Sequence, residues 1–365
     1  MQILTNSRRQ SFDRCPRNHY YAYELCRRPR RKSDALYFGT IFHNLRALYR
    51  SHDLAAALTW LDQQTINEWN QLHLIIASEL IQGYANVYWN DPMLPLPDGI
   101  EREFTAPLIN PLTLAPSRTW LLAGKNDELA IHPSDGTTVL VEAKTTSEDL
   151  APDSTYWMRL TLDPQISTYY VGATSLGFEP KQACYDVIHK PKFTIKDSIP
   201  VLDPEGIPIV KDQRGARVLK TNGTPRRTAD SAKGFTLLTR QETLPEFAQR
   251  LATHISANTD FYFKRFYLPR TETDLEEFMF DTWQIARNIR DCQLRQAQLE
   301  TKSLSPLPAW PRKPRSCFDF HRPCSYFQIC AHTENILDNN RFETTPQNPE
   351  LDITAPDHYT YEPSH

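Results

Sequence analysis

Between Ile100 and His189 the spacing of the apolar residues switches from alternation to helical periodicity and back, and this order limits the fold more than any other feature of the chain. Arg102 to Pro107, Thr119 to Ala123, Glu128 to His132 and Thr138 to Lys144 read as short strands, the last two joined by a hairpin at Ser134-Asp135-Gly136. Asp163 to Leu176 reads as a helix and Gln182 to His189 as a further strand. Strand, hairpin, helix, strand predicts an α/β protein, a mixed sheet flanked by helices. Upstream, residues 1–92 read as helical, with Leu36, Ile41, Leu45 and Leu48 close to one stripe and Ile75 to Tyr88 forming another. Downstream, Phe261 to Leu268 reads as a strand, Asp274 to Gln298 as a long helix and Leu304 to Arg315 as a proline-stiffened connector. No internal repeat is read. The expected organisation is a helical region over 1–99, a core over 100–300 interrupted by an insertion at 192–240, a cysteine-bearing segment over 301–335 and an acidic tail over 336–365.

Charge is segregated along a chain whose formal net charge is only −3. Residues 1–32 hold nine Arg/Lys against Asp13 and Glu24, and residues 192–240 hold ten against five acids. Both stretches suit either a polyanion or plain solvation. The 192–240 stretch, rich in Pro and Gly, is expected to be a partly flexible arm. Residues 331–365 hold seven acids against Arg341 alone, which predicts a disordered tail. Apolar runs such as Leu72 to Ile76 are far shorter than the roughly 18 residues of a membrane span. The first residues turn basic at once, unlike a secretory signal, so an intracellular protein is expected.

Two groups of residues carry chemistry. In the first, Glu142 and Lys144 are two apart on a strand and face one side, while Asp127, expected at a turn between neighbouring strands, brings a second carboxylate beside them. Two hard oxygen ligands suit Mg²⁺ or Mn²⁺. An ordinary surface hairpin can also carry such a pair. His43 lies on an upstream helix, and Gln165 and Tyr169 share a helix face after the hairpin. In the second group, Cys15-Pro16 near the start is joined by Cys317, Cys324 and Cys330 near the end. Four thiolates suit zinc or an iron–sulfur cluster, and unliganded thiols remain a third reading. Cys26, Cys184 and Cys292 have no partners in sequence and read as structural thiols. Asp260 to Tyr267, where aromatics alternate with cations, reads as a half-buried strand rather than a stacking platform for bases.

The order His43, Gly124-x-x-Asp127, Glu142-x-Lys144, Gln165-x-x-x-Tyr169 resembles the PD-(D/E)XK nuclease superfamily. It is most similar to the branch that holds the RecB and AddB nuclease domains and the RecB-like exonucleases associated with CRISPR systems. The resemblance implies a restriction-endonuclease-like fold. It makes His43, Asp127, Glu142 and the backbone carbonyl of Ala143 ligands of Mg²⁺ or Mn²⁺, and Lys144 the catalytic lysine, with Gln165 and Tyr169 lining the groove. The implied reaction is phosphodiester hydrolysis of single-stranded DNA or DNA ends, in repair, recombination or phage- and CRISPR-related processing. Cys15, Cys317, Cys324 and Cys330 correspond to members of the branch that hold a [4Fe-4S] cluster, with zinc as the alternative. The interval from Cys317 to Cys324 is longer than in the best-known members, and His321 is a candidate substitute ligand. Arg27, Arg28, Arg30 and Arg31 are the expected DNA contacts. No G-x4-G-K-[ST] motif is present, so unwinding would fall to a helicase or recombination partner. The alternative is a non-catalytic nucleic-acid-binding scaffold within a DNA-processing complex. A bacterial or phage origin and a cytoplasmic location are expected.

Overall fold

The computed structural model describes residues 1–30, 33–67 and 69–351, with Phe320 and His321 described by their backbone alone. The sheet contains β1 (Gln2–Leu4), β3 (Leu94–Ile109), β4 (Pro116–Ile131), β5 (Thr138–Thr146), β6 (Gln182–His189) and β11 (Phe263–Leu268), while β2 (Arg27–Pro29) lies outside it. Helix α1 (Asn6–Arg14) and the short α2 (Pro16–His19) follow β1; α3 (Asp34–Ser51), α4 (Leu54–Asp62) and α5 (Gln71–Val87) precede β3. Helices α6 (Thr155–Thr161) and α7 (Pro164–Ser175) make the crossover from β5 to its parallel neighbour β6. Helices α8 (Leu244–Ala257) and α9 (Thr259–Tyr262) lead into β11, and α10 (Glu272–Glu300) follows it. This is the expected mixed sheet flanked by helices.

Alternation sorts the two faces of the sheet. Leu129, Leu140, Tyr185 and Val187 pack with Tyr156 and Trp157 of α6 and Ile166, Tyr169 and Tyr170 of α7. Ile188 packs with Phe38, Ile41, Phe42 and Leu45 of α3 and with Leu80, Ile81 and Tyr84 of α5. The buried stripe of α3 therefore differs slightly from the sequence reading, since Leu36 is 57% exposed.

Strand β4 is where the topology makes a site. One edge pairs with β3 along much of its length. The other edge is divided: Trp120–Leu122 pair with β1 in parallel, whereas Glu128–Ile131 pair with β5 antiparallel. Between these pairings β4 and β5 fork apart. The two strands read from sequence at 119–123 and 128–132 are one strand, so Asp127 lies mid-strand at the fork and not at a turn. The polar run Gly124-Lys-Asn-Asp127 hides that continuity from a pattern based on apolar alternation.

The 192–240 insertion, expected as a partly flexible arm, carries regular structure of its own. It contains β7 (Ile199–Pro200), β8 (Val210–Lys211), β9 (Thr236–Leu237) and β10 (Thr239–Arg240). It also holds a repeat that the sequence reading missed: three hairpins in series, closed by Ile209 N–H to Val201 O at 2.9 Å, Val218 N–H to Val210 O at 2.8 Å and Arg226 N–H to Val218 O at 3.1 Å. Gly206, Gly215 and Gly223 take φ of 75°, 82° and 81° at the tips, where a side chain would be strained.

The tail expectation is also corrected over 336–351. Strand β12 (Phe342–Thr344) pairs with β2, and Phe342, 2% exposed, stacks on Tyr326 at 5.8 Å. The tail's acidity concealed one aromatic anchor and a strand whose ladder partner is more than 300 residues away in the chain. The rest of the expected tail, 352–365, lies outside the described residues. Among the described residues, no helix is long and apolar enough to cross a membrane.

Candidate active site

The fork gathers the first group of residues. Because β5 leaves the β4 ladder after Val141, the Ala143 N–H donates to a side chain of β4, Asp127 Oδ2, at 3.0 Å. The same oxygen lies 2.8 Å from His43 Nε2, which reaches it from α3. Lys144 Nζ donates to Glu142 Oε1 at 2.7 Å and to Gln165 Oε1 at 2.6 Å, and lies 3.7 Å from Asp163. Gln165 Nε2 donates to the Tyr169 hydroxyl at 2.8 Å. Asp163 caps α7 by accepting the Gln165 N–H at 2.9 Å, which starts the helix where Gln165 and Tyr169 share a face toward Lys144. Gly124 of the pattern and Gly172 of α7 have a packing reason. A Cβ on Gly124 or Gly172 would stand 2.7 or 2.4 Å from the Phe104 ring, so this aromatic can lie between β4 and α7 only if both positions are bare.

One functional residue escaped the sequence reading. Glu101 of β3 places Oε1 3.3 Å from His43 Nδ1, and its other oxygen pairs with Lys125. His43, Glu101 and Asp127 each offer a ligand atom within 4.8 Å of the others. Asp127 is 5% and Glu142 2% exposed. Burial and the neighbouring Asp127 charge push the Glu142 carboxyl up, against the pull of Lys144. Burial would raise Asp127 as well, but His43 and the Ala143 N–H hold it down. Burial alone would lower His43, and Asp127 outweighs it, raising the imidazole to about 9. Glu142 and Asp163 likewise outweigh burial to raise Lys144. Glu101 Oε1 and Glu142 Oε2 are buried with no hydrogen-bond partner. Unpartnered carboxylate oxygens beside an imidazole fit a hard divalent cation, whose charge would satisfy them.

A charge network stands beside the site on the α3 face. Arg46, one turn after His43, donates to Glu128 at 3.0 Å and to Asp186 at 3.0 Å. Glu128 follows Asp127 on β4, and Asp186 sits in register with Ala143. Arg50 bonds Glu128 at 2.6 Å and Asp91 at 2.8 Å, and Arg265 holds Asp91 at 2.7 Å. The buried ions therefore tie α3, which bears His43, to β4, which bears Asp127, and to β6, the strand that pairs with the one bearing Ala143.

The second group also assembles. Cys15, Cys317, Cys324 and Cys330, all free thiols, line one cleft with Arg14, Asn18, Arg312 and Lys313. Burial, and then the neighbouring thiols, raise Cys317. The His321 side chain lies outside the description. Cys184 and Cys292 are buried, as structural thiols should be.

Three arginines of the basic run expected to contact DNA hold protein oxygens. Arg27 is 8% exposed and spends its guanidinium on Ile336 O, Thr344 Oγ1, Asn339 Oδ1 and Phe342 O. Arg28 donates to Gln347 O at 3.1 Å, and Arg30 to Asn339 O at 2.6 Å. These three hold the C-terminal segment in place; Arg31 lies outside the described residues. Of the half-buried strand expected over Asp260–Tyr267, Phe263 to Tyr267 lie in strand β11 (Phe263–Leu268), whereas Asp260 to Tyr262 belong to the short helix α9 (Thr259–Tyr262).

Residues 4–330 match the family model of the PD-(D/E)XK nuclease superfamily, and the chain belongs to that superfamily. No curated protein matches the chain. Among solved structures it is similar to one titled "Crystal structure of SSO0001", at 11% identity over 62% of this chain and 77% of that one, with a TM-score of 0.21.

Proposed function

We propose that this PD-(D/E)XK nuclease hydrolyses DNA from strand ends, preferring single strands, with Mg²⁺ or Mn²⁺ held at the fork by His43, Asp127, Glu142 and the Ala143 carbonyl, joined by Glu101. The observation that carries this reading is the meeting of His43, Glu101 and Asp127, whose ligand atoms lie within 4.8 Å of one another, near a buried Glu142 that pairs with Lys144; Glu101 Oε1 and Glu142 Oε2 have no hydrogen-bond partner. A bound cation supplies Lewis-acid charge to the scissile phosphate and lowers the pKa of water. The chain's own residues do the rest. Lys144, fixed by Glu142 and by a Gln165 that Tyr169 orients, presents an ammonium to position the attacking water and the phosphate oxygens. The Ala143 N–H keeps Asp127 aimed into the fork.

The order of the His43, Gly124-x-x-Asp127, Glu142-x-Lys144 and Gln165-x-x-x-Tyr169 elements supports the RecB/AddB-like branch, and with it exonuclease action in repair, recombination or phage-related processing. Four thiols in one cleft ringed by Arg14, Arg312 and Lys313 support a structural [4Fe-4S] cluster, whose net negative charge those cations offset, with zinc as the alternative. Duplex unwinding falls to a partner helicase, and the cytoplasm is the location. A non-catalytic scaffold would have no use for an assembled acid–lysine set.

The test is incubation of end-labelled linear and circular DNA, single- and double-stranded, with Mg²⁺ or Mn²⁺. Linear single strands should shorten from their ends while circles persist. Asp127→Asn or Glu142→Gln should slow cleavage by about 10³-fold, the scale of losing a charge-stabilising group in the transition state. Wild-type rates in either variant would overturn the assignment.

A further inference from the structure

Glu101 is held in the site by a departure from regular strand geometry. The β3–β4 register runs Pro95 opposite Ala130 and then Ile100 opposite Glu128, so β3 carries extra residues in a bulge at 96–99. Asp98 and Glu101 take φ of 53° and 52°, a conformation that strains any residue with a side chain. Regular register resumes at Ile100 opposite Glu128 and continues with Arg102 opposite Asn126, which sets Glu101 across from Asp127. Bulges of this kind re-aim a side chain beside active sites. The residue so aimed has one oxygen unpartnered toward His43 and the other on Lys125. Lys125 lies two residues before Asp127 on β4, hence on the same face, and like Glu101 is only 22% exposed at its side chain.

We propose that Glu101 and Lys125 form an exchange pair that couples cation binding to DNA binding; this rests on the nuclease reading of the site. Without a cation, Glu101 neutralises Lys125 and Lys125 is not available to a phosphate. When a divalent cation is bound, Glu101 turns to it, and the released Lys125 ammonium takes a phosphate of the strand lying in the site. Coupling of this kind is reciprocal, so DNA raises cation affinity by the factor by which the cation raises DNA affinity.

The test uses the full chain in a Lys144→Gln background, which stops hydrolysis in every member of the series. Mn²⁺ binding is read by electron paramagnetic resonance, and binding of a short fluorescent single-stranded oligonucleotide by anisotropy. Glu101→Gln should weaken Mn²⁺ binding about tenfold, whereas Lys125→Met, which leaves Glu101 uncommitted, should tighten it. In EDTA, Glu101→Gln should tighten oligonucleotide binding about tenfold by freeing Lys125, and the double variant should return to the background affinity. Unchanged Mn²⁺ affinity in Glu101→Gln would overturn the exchange. So would equal oligonucleotide affinity of Glu101→Gln and the double variant, which would mean that the acid's charge alone was felt. Absence of cleavage by the wild-type chain, with this cycle intact, would instead defeat the hydrolytic reading and leave the exchange standing.

Discussion

The fork of the sheet and the junction of the two chain ends both gather polar groups from distant parts of the sequence, yet they are held in opposite ways. At the fork, three arginines and three acids balance one another beside the site: Arg46, Arg50 and Arg265 with Glu128, Asp186 and Asp91. The charges of this network are paired with one another, while Glu101 Oε1 and Glu142 Oε2 beside it are buried without a hydrogen-bond partner. At the chain ends, the thiols themselves have no such support. What joins those ends is an aromatic stack with single cations around it: Trp310, fully buried, stacks on His19 at 5.4 Å and Tyr20 at 5.5 Å, Arg17 donates to Trp310 O and Leu307 O, and the half-exposed Arg14 pairs with Asp319 at 2.9 Å. The difference is between a preorganised site and one in which a bound group adds to a junction that already exists.

The largest effect should come from breaking the balanced side. Arg46→Met leaves Glu128 and Asp186, both 0% exposed, without the cation between them, and uncompensated buried charge costs about 3–5 kcal/mol. Urea unfolding monitored by circular dichroism should show a loss of that size. A change under about 1 kcal/mol would mean that Arg50 and Arg265 suffice and that the network is redundant.

At the chain ends a smaller, ligand-dependent loss is expected. Anaerobically purified wild-type protein should be brown with about four irons per chain, and Cys15→Ala or Cys330→Ala should lower iron content and the melting temperature by roughly 5–10 °C. The fork, tied by its own ions, should keep cleaving short linear DNA in these variants. Stoichiometric zinc in colourless protein would decide for zinc, and unfolding of the whole chain on loss of one thiol would erase the contrast between the regions.

Arg27→Ala should give the smallest effect and sharpen the reading of the basic run. Removing a buried guanidinium that satisfies three carbonyl or amide oxygens and a hydroxyl should cost about 2 kcal/mol. The salt dependence of DNA binding should not change, because a cation committed to protein oxygens releases no counterions. A flatter salt slope in this variant would restore Arg27 to the DNA interface.

Much of the site was legible because its chemistry depends on spacing along single elements. Glu142 and Lys144 share a strand face, Gln165 and Tyr169 a helix face, and both follow from the local period whatever the rest of the chain does. The β5, α7, β6 order was equally local. Asp127 was identified but misplaced, since a polar run in mid-strand looks the same as a turn when only apolar alternation is read.

What tertiary structure alone decided is whatever depends on partners far away in the chain. Glu101 is an unremarkable acid in sequence; a bulge and a positive φ aim it into the site, and no pattern of residue types encodes a register shift. Arg27 and Arg28 form a basic run in sequence, but pairing of β2 with β12 converts them into anchors for a segment more than 300 residues later. Sequence by itself determined which donors this protein owns and which of them share an element, because local geometry follows from the chain's own dihedral preferences. The meeting of His43, Glu101 and Asp127, with Glu142 on the neighbouring strand, was decided by where β4 and β5 part, and that is set by hydrogen bonding between strands and by the packing of Phe104 against two bare glycines.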